Sequence, residues 1–143
     1  MRALRTHHPN VTAVAYPKSG TCRFHAYVSV RDCAPGQARN IGATTLGDDL
    51  SLKMVVVVDD DVDVNKDFDV LWAMATRMQA DSDIDTIRNA MGAILDPSNR
   101  QGTTAKIIID ATCKSSPYPK RHTLPKDAMG RADAILSAAG RKR

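Results

Sequence analysis

Apolar and polar residues alternate through "NVTAVAY" (Asn10 to Tyr16) and again through "RFHAYVSV" (Arg23 to Val30). Successive side chains of an extended chain point to opposite faces, so this period of two predicts two strands. The breaker-rich "PKSGT" between them predicts a hairpin. In the second strand Phe24, Ala26, Val28 and Val30 share one face and Arg23, His25, Tyr27 and Ser29 the other, which makes His25 a surface histidine rather than a ligand. "MVVVV" (Met54 to Val58) shows no alternation, and such a run predicts a central strand covered on both sides.

Helical spacing appears elsewhere. Ala38, Ile41, Thr45 and Leu46, with Pro35 as opener and Gly47 as stop, predict a helix over about residues 35 to 46. Phe68, Leu71, Trp72, Ala75 and Met78 recur at three- and four-residue intervals and predict one buried face of a helix over about 67 to 78. "IDTIRN" and "AKIIID" (Ala105 to Asp110) read as further strands, and Ala128 to Ala139 as a closing helix capped by Asp127. Between the last two lies the breaker-rich "KSSPYPKRHTLPK".

The order is strand, strand, helix, strand, helix, strand, strand, helix. It predicts an α/β fold, a three-layer-like sandwich in which a mixed sheet of about five strands is flanked by helices. The 143 residues suit a single domain over 1–143, with a loop-rich segment at 114–126 and a C-terminal helix at 127–140.

Composition narrows the function classes. No run approaches the roughly 20 consecutive apolar residues that span a bilayer, and "MRALRTHHPN" lacks the apolar core of a secretory signal, so the expectation is a cytoplasmic protein that does not enter a membrane. Cys22, Cys33 and Cys113 form no Cys-x-x-Cys pair, which argues for reduced thiols over a zinc site. A formal charge of +4 invites a nucleic-acid partner. The basic residues are scattered, however, and two phenylalanines and three tyrosines offer little surface for stacking bases, so nucleic acid is not the expected ligand.

The dense aspartates after the valine run raise a question of chemistry. Asp61, Asp63, Asn65, Asp67 and Asp69 have the every-other-residue spacing of a calcium loop, but the sixth position holds Lys66 instead of glycine and the twelfth Trp72 instead of glutamate. A phosphate cradle fails as well, because the turn has no glycine and its carboxylates repel phosphate. Asp and Asn favour turns and helix N-termini, so Asn65 or Asp67 is a candidate cap for the Trp72 helix. That leaves three consecutive aspartates directly after a buried strand, where open α/β sheets often present ligand-contacting residues.

Taken together, "KMVVVVDDDVDVNKDFDVLWAMATRM", "GAILDPS" and "KIIIDAT" resemble, in this order, the C-terminal domain of the UbiD family of reversible decarboxylases. "HHPNVTAVAYP", "FHAYVSV" and "APGQARN" are similar to the start of that domain, so the resemblance covers about residues 4 to 112. It implies a part of an enzyme that removes or adds a carboxylate on aromatic, heteroaromatic or unsaturated acids with prenylated FMN, manganese and potassium. In this family the flavin and the catalytic glutamate, arginine and glutamate belong to a central domain that has no counterpart here, and the chain contains no glutamate at all. The resemblance therefore implies no catalytic, cofactor-binding or metal residue in this chain. It implies a C-terminal domain or small subunit that works with a larger UbiD-like chain carrying the flavin and that forms homo-oligomers. The Val55 strand, the aspartate turn and Trp72 become structural. The loop "MGAILDP" falls where the family's domain reaches over the substrate pocket, which makes Ala93, Ile94 and Leu95 substrate-pocket candidates, with core packing as the competing reading. A non-enzymatic oligomerisation or regulatory orphan domain is the alternative for the whole chain.

Overall fold

The computed structural model describes residues 2–115, 117–119 and 125–140. Helix α1 (Arg2–His7) leads into β1 (Val11–Ala15), which returns through a 3-10 turn at Lys18–Gly20 into β2 (His25–Val30). Then follow α2 (Gln37–Asp48), β3 (Met54–Asp59), α3 (Asp67–Arg77), β4 (Ile84–Met91), β5 (Thr103–Ala111) and α4 (Lys126–Ala138). The five strands form one mixed sheet in the order β1-β2-β3-β5-β4. Strands β2, β3 and β5 run parallel, and β1 and β4 pair antiparallel at the two edges.

The valine run is the centre of the sheet. Val55 and Val57 join α1 and α2 residues such as Leu4, Ala38 and Ile41 in one core, while Val56 and Val58 join Val70 and Ala73 of α3 in a second core on the other face. All four valines are fully buried. Burial of this kind contributes about 1.5–3 kcal/mol for each such side chain. Covering both faces also buries Tyr27 and Ser29 on the face of β2 whose pattern predicted exposure, while His25 stays half-buried against Gly20. The alternation was there, but α3 covers it.

Gly42 fixes how closely α2 lies on the sheet. A Cβ there would stand 2.4 Å from Cγ2 of Ile108, so only glycine permits this approach. The helix begins after Gly36, whose φ of 79° is a left-handed conformation, and it runs through Gly47 to Asp48. Gly47 is thus not the stop. The termination is tertiary: the Lys106 ammonium on β5 donates to the carbonyls of Leu46, Asp49 and Leu50 at 3.2, 3.5 and 3.2 Å, satisfying groups that a helix end leaves open.

Helix α3 has the expected length but buries a different face. Val70, Ala73 and Arg77 point inward, whereas Phe68 and Leu71 are 69% and 55% exposed. Both stripes have helical spacing. The ion pairs of Arg77 described below fix which one turns to the sheet. Neither Asn65 nor Asp67 caps α3. Lys66 occupies that position without a side-chain bond, and Asp67 and Asp69 lie in the first turn, where a helix dipole favours acids. Likewise Pro125, not Asp127, precedes α4, and Asp127 pairs with Arg131 at 3.2 Å. None of the described α4 side chains is buried. Part of the loop-rich stretch, residues 116 and 120–124, lies outside the described residues.

Candidate functional site

Charged or exposed apolar side chains gather at three places: the aspartate turn, the crevice above it, and the loop between β4 and β5. In the turn each aspartate has a partner. Nη1 of Arg77 donates to Asp59 at 2.9 Å and to Asp61 at 2.8 Å, and Nη2 donates to the other oxygen of Asp61 at 2.7 Å. The Arg77 side chain is 2% exposed and lies between the rings of Trp72 and Tyr118, with centroids at 5.4 and 5.1 Å. Asp60 holds Arg31 at 2.7 Å. Asp63 accepts from the backbone of Asn65 and pairs with Lys66. These contacts hold the carboxyl of Asp61 below its ordinary range, chiefly through the Arg77 hydrogen bonds, and that of Asp63 through the Asn65 amide and Lys66. The turn is a charge clamp that ties α3 to the end of β3.

Beyond the C-terminal ends of the parallel strands lies a crevice of about 930 Å³, bordered by Cys33, Asp59, Asp83, Asp110, Cys113 and Lys114 among others. This is where open α/β sheets commonly bind ligands. Several of its charges are already matched: Lys114 reaches Asp110 at 3.0 Å and Asp83 at 3.5 Å, and Asp59 accepts from the Cys113 amide at 2.7 Å. Burial, then the Asp59 carboxylate, push the Cys113 thiol up to about 11, and burial also raises Cys33. Both thiols are weak nucleophiles at neutral pH.

The three sequence candidates on the β4–β5 loop separate. Ala93 is buried at 8% exposure, while Ile94 and Leu95 stand out at 92% and 73%. They project from a pinned base. The Ala93 carbonyl accepts from the amide of Asp96 at 3.1 Å and from Asn99 Nδ2 at 2.9 Å. Buried Asp96 binds the Lys53 ammonium at 2.9 Å and the Ser98 amide at 2.9 Å. Gly92 packs so closely on Thr104 that a Cβ would come within 3.0 Å. The Lys53 hydrogen bond, with the Ser98 amide, holds the Asp96 carboxyl at about 2. Sequence reasoning missed Arg77, Lys53, Asp96 and Lys106. Their partners lie 16 to 60 positions away along the chain, and no local pattern marks them.

The fold and its surface are those of a five-stranded mixed α/β domain with ion-paired charges at its C-terminal crevice and an apolar loop held outward. The 3-octaprenyl-4-hydroxybenzoate carboxy-lyase C-terminal domain family matches residues 1–111, and the chain belongs to this family. An anhydromevalonate phosphate decarboxylase of Methanothermobacter thermautotrophicus is 39% identical over 112 residues, 78% of this chain and 26% of that protein. A phenolic acid decarboxylase of Bacillus subtilis is 38% identical over 101 residues, 68% of this chain and 21% of the other. Among solved structures, the UbiD-class enzyme HmfF from Pelotomaculum thermopropionicum, in complex with FMN, superposes with a TM-score of 0.81 at 35% identity, covering 92% of this chain and 31% of that one. The 3,4-dihydroxybenzoic acid decarboxylase AroY of Klebsiella pneumoniae superposes with a TM-score of 0.78 at 28% identity. The chain thus spans about a quarter of the length of the curated relatives it matches. Among the described residues no helix is long and apolar enough to cross a membrane.

Proposed function

We propose that this chain is the C-terminal domain or small subunit of a UbiD-type (de)carboxylase acting on aromatic or unsaturated carboxylic acids, and that it contributes assembly contacts and one wall of the substrate pocket. The observation that carries this reading is the match to the UbiD C-terminal domain along residues 1–111. Prenylated FMN, manganese and potassium belong to the larger UbiD-like chain in this reading. The carboxylates here suit manganese poorly, since Asp59, Asp61 and Asp110 already hold Arg77 and Lys114, and among the described residues no three His, Cys or Asp side chains converge as a metal site.

Within the complex, Ile94 and Leu95 face the flavin-bearing chain. Their exposure on a loop fixed by Asp96 and Asn99 supports this: an apolar pair held in water costs free energy unless a partner covers it. Ala93 belongs to the base of the loop. The test is reconstitution with the larger chain, followed by flavin absorbance and turnover. Leu95→Ala is expected to change the chain's own stability by no more than about 0.5 kcal/mol, as for other exposed positions, while lowering turnover of the complex. A destabilised variant with normal turnover per folded complex would remove Leu95 from the pocket wall.

A further inference from the structure

We propose that the cleft between β4 and the start of β5 binds the dianionic phosphate group of a small ligand, carried either as an organic monoester or as free phosphate. This proposal is independent of the decarboxylase reading. The cleft encloses about 470 Å³ and is lined by Lys53, Thr86, Arg88, Asn89, Arg100 and Thr104 among others.

A bulge builds it. Pairing passes from Ile87 with Lys106 to Ala90 with Thr104, so β4 carries one residue more than β5 across this step, and Asn89 adopts a φ of 54°. The extra residue breaks the alternation of faces. Ile87 and Ala90 both line an apolar groove on the α2 side, and Arg88 and Asn89 both line the cleft on the opposite side. Two adjacent donor side chains thereby line the same cleft as Arg100.

Charge gives the cleft its preference. Arg31, Arg39 and Arg77 each hold a carboxylate. Among the described residues the side chains of Thr86, Arg88, Asn89 and Arg100 hold no hydrogen-bond or ion-pair partner. Asp96 pairs with Lys53 and accepts from Ser98 and Thr104 at one edge of the cleft, and of the lining cations it neutralises only Lys53. Two unmatched guanidiniums beside a hydroxyl and an amide donor form a set that a phosphate dianion satisfies, because guanidinium pairs bind its oxygens in a forked geometry. The crevice at the C-terminal ends of the strands, at the other end of the sheet, lacks this property, since Lys114 and Arg39 there already hold carboxylates. A phosphate group fills only part of about 470 Å³, which leaves room for the carbon portion of an ester.

The experiment titrates the full chain with glycerol 3-phosphate and, separately, with inorganic phosphate at ionic strength held constant with chloride, followed by amide NMR shifts. Saturable shifts at Arg88, Asn89, Arg100 and Thr103 are expected, and the tighter of the two probes identifies the source of the phosphate. Arg88→Gln with Arg100→Gln should weaken binding at least about tenfold, as loss of charge-assisted hydrogen bonds does. Arg88→Lys with Arg100→Lys keeps the charge without the fork and should bind with intermediate affinity, which guards against a folding defect in the first variant. Shifts that do not saturate, or that the glutamine pair leaves unchanged, overturn the proposal.

Discussion

The guanidinium of Arg77 holds three carboxylate oxygens of Asp59 and Asp61 while stacked between Trp72 and Tyr118. Its Nε is buried without a hydrogen-bond partner, so the charge is supported by the carboxylates and the rings alone. Burial opposes its positive charge, yet the Asp61 hydrogen bonds prevail and its pKa is raised. Arg77→Met should therefore lower stability by about 2–4 kcal/mol in urea unfolding, less than for a fully buried pair because Asp61 can turn to water. Asp96 predicts a pH effect. Its carboxyl is depressed from an ordinary 3.8 to about 2, so the stability it contributes is fully present above the ordinary value and is lost as pH falls through the depressed one. Asp96→Asn should be less stable than the parent chain at neutral pH and show a flatter fall in melting temperature between about pH 4 and 2.

At the scale of elements, α2 and β4 show two ways in which one residue sets a position. Gly42 brings α2 against Ile108, and Gly42→Ala would force a methyl group to within 2.4 Å of that side chain. The alanine gains intrinsic helix propensity, roughly 1 kcal/mol, but overpacking costs about 1–3 kcal/mol, so a net loss in melting temperature is expected. A rise would show that Ile108 yields to the added methyl. In β4 the extra residue redirects Arg88 and Asn89 without changing the strand's partner. Helix α3 shows the limit of a period: Phe68 and Leu71 have the same spacing as Val70, Ala73 and Arg77, and only the sheet's acids distinguish the two stripes.

At the scale of the whole molecule, several large apolar side chains stay exposed, Ile135 of α4 among them. Helix α4 carries Ala128, Met129, Ala132, Ile135 and Leu136 at helical spacing, with Ala139 at its C-cap and no buried side chain among them, and Ile135 is conspicuously exposed. The test of assembly is whether this stripe covers a second copy of the chain. Light scattering at high micromolar concentration should then give at least a dimer, and Ile135→Asp should shift the distribution toward monomer. A monomeric parent chain would remove α4 from assembly.

Local periodicity and motifs in fixed order carry the five strands, the central place of Val55 to Val58, the extents of α2, α3 and α4 to within a few residues, and the family, but not the short α1 (Arg2–His7), which no sequence pattern predicted. What required the tertiary structure was each choice between equivalent local patterns. The face that α3 buries, the extension of α2 past Gly47 to the Lys106 ammonium, and the burial of Ala93 beside exposed Ile94 and Leu95 all depend on groups far away in the chain. Periodicity records which residues share a face; the charges and backbone groups opposite decide which face turns inward.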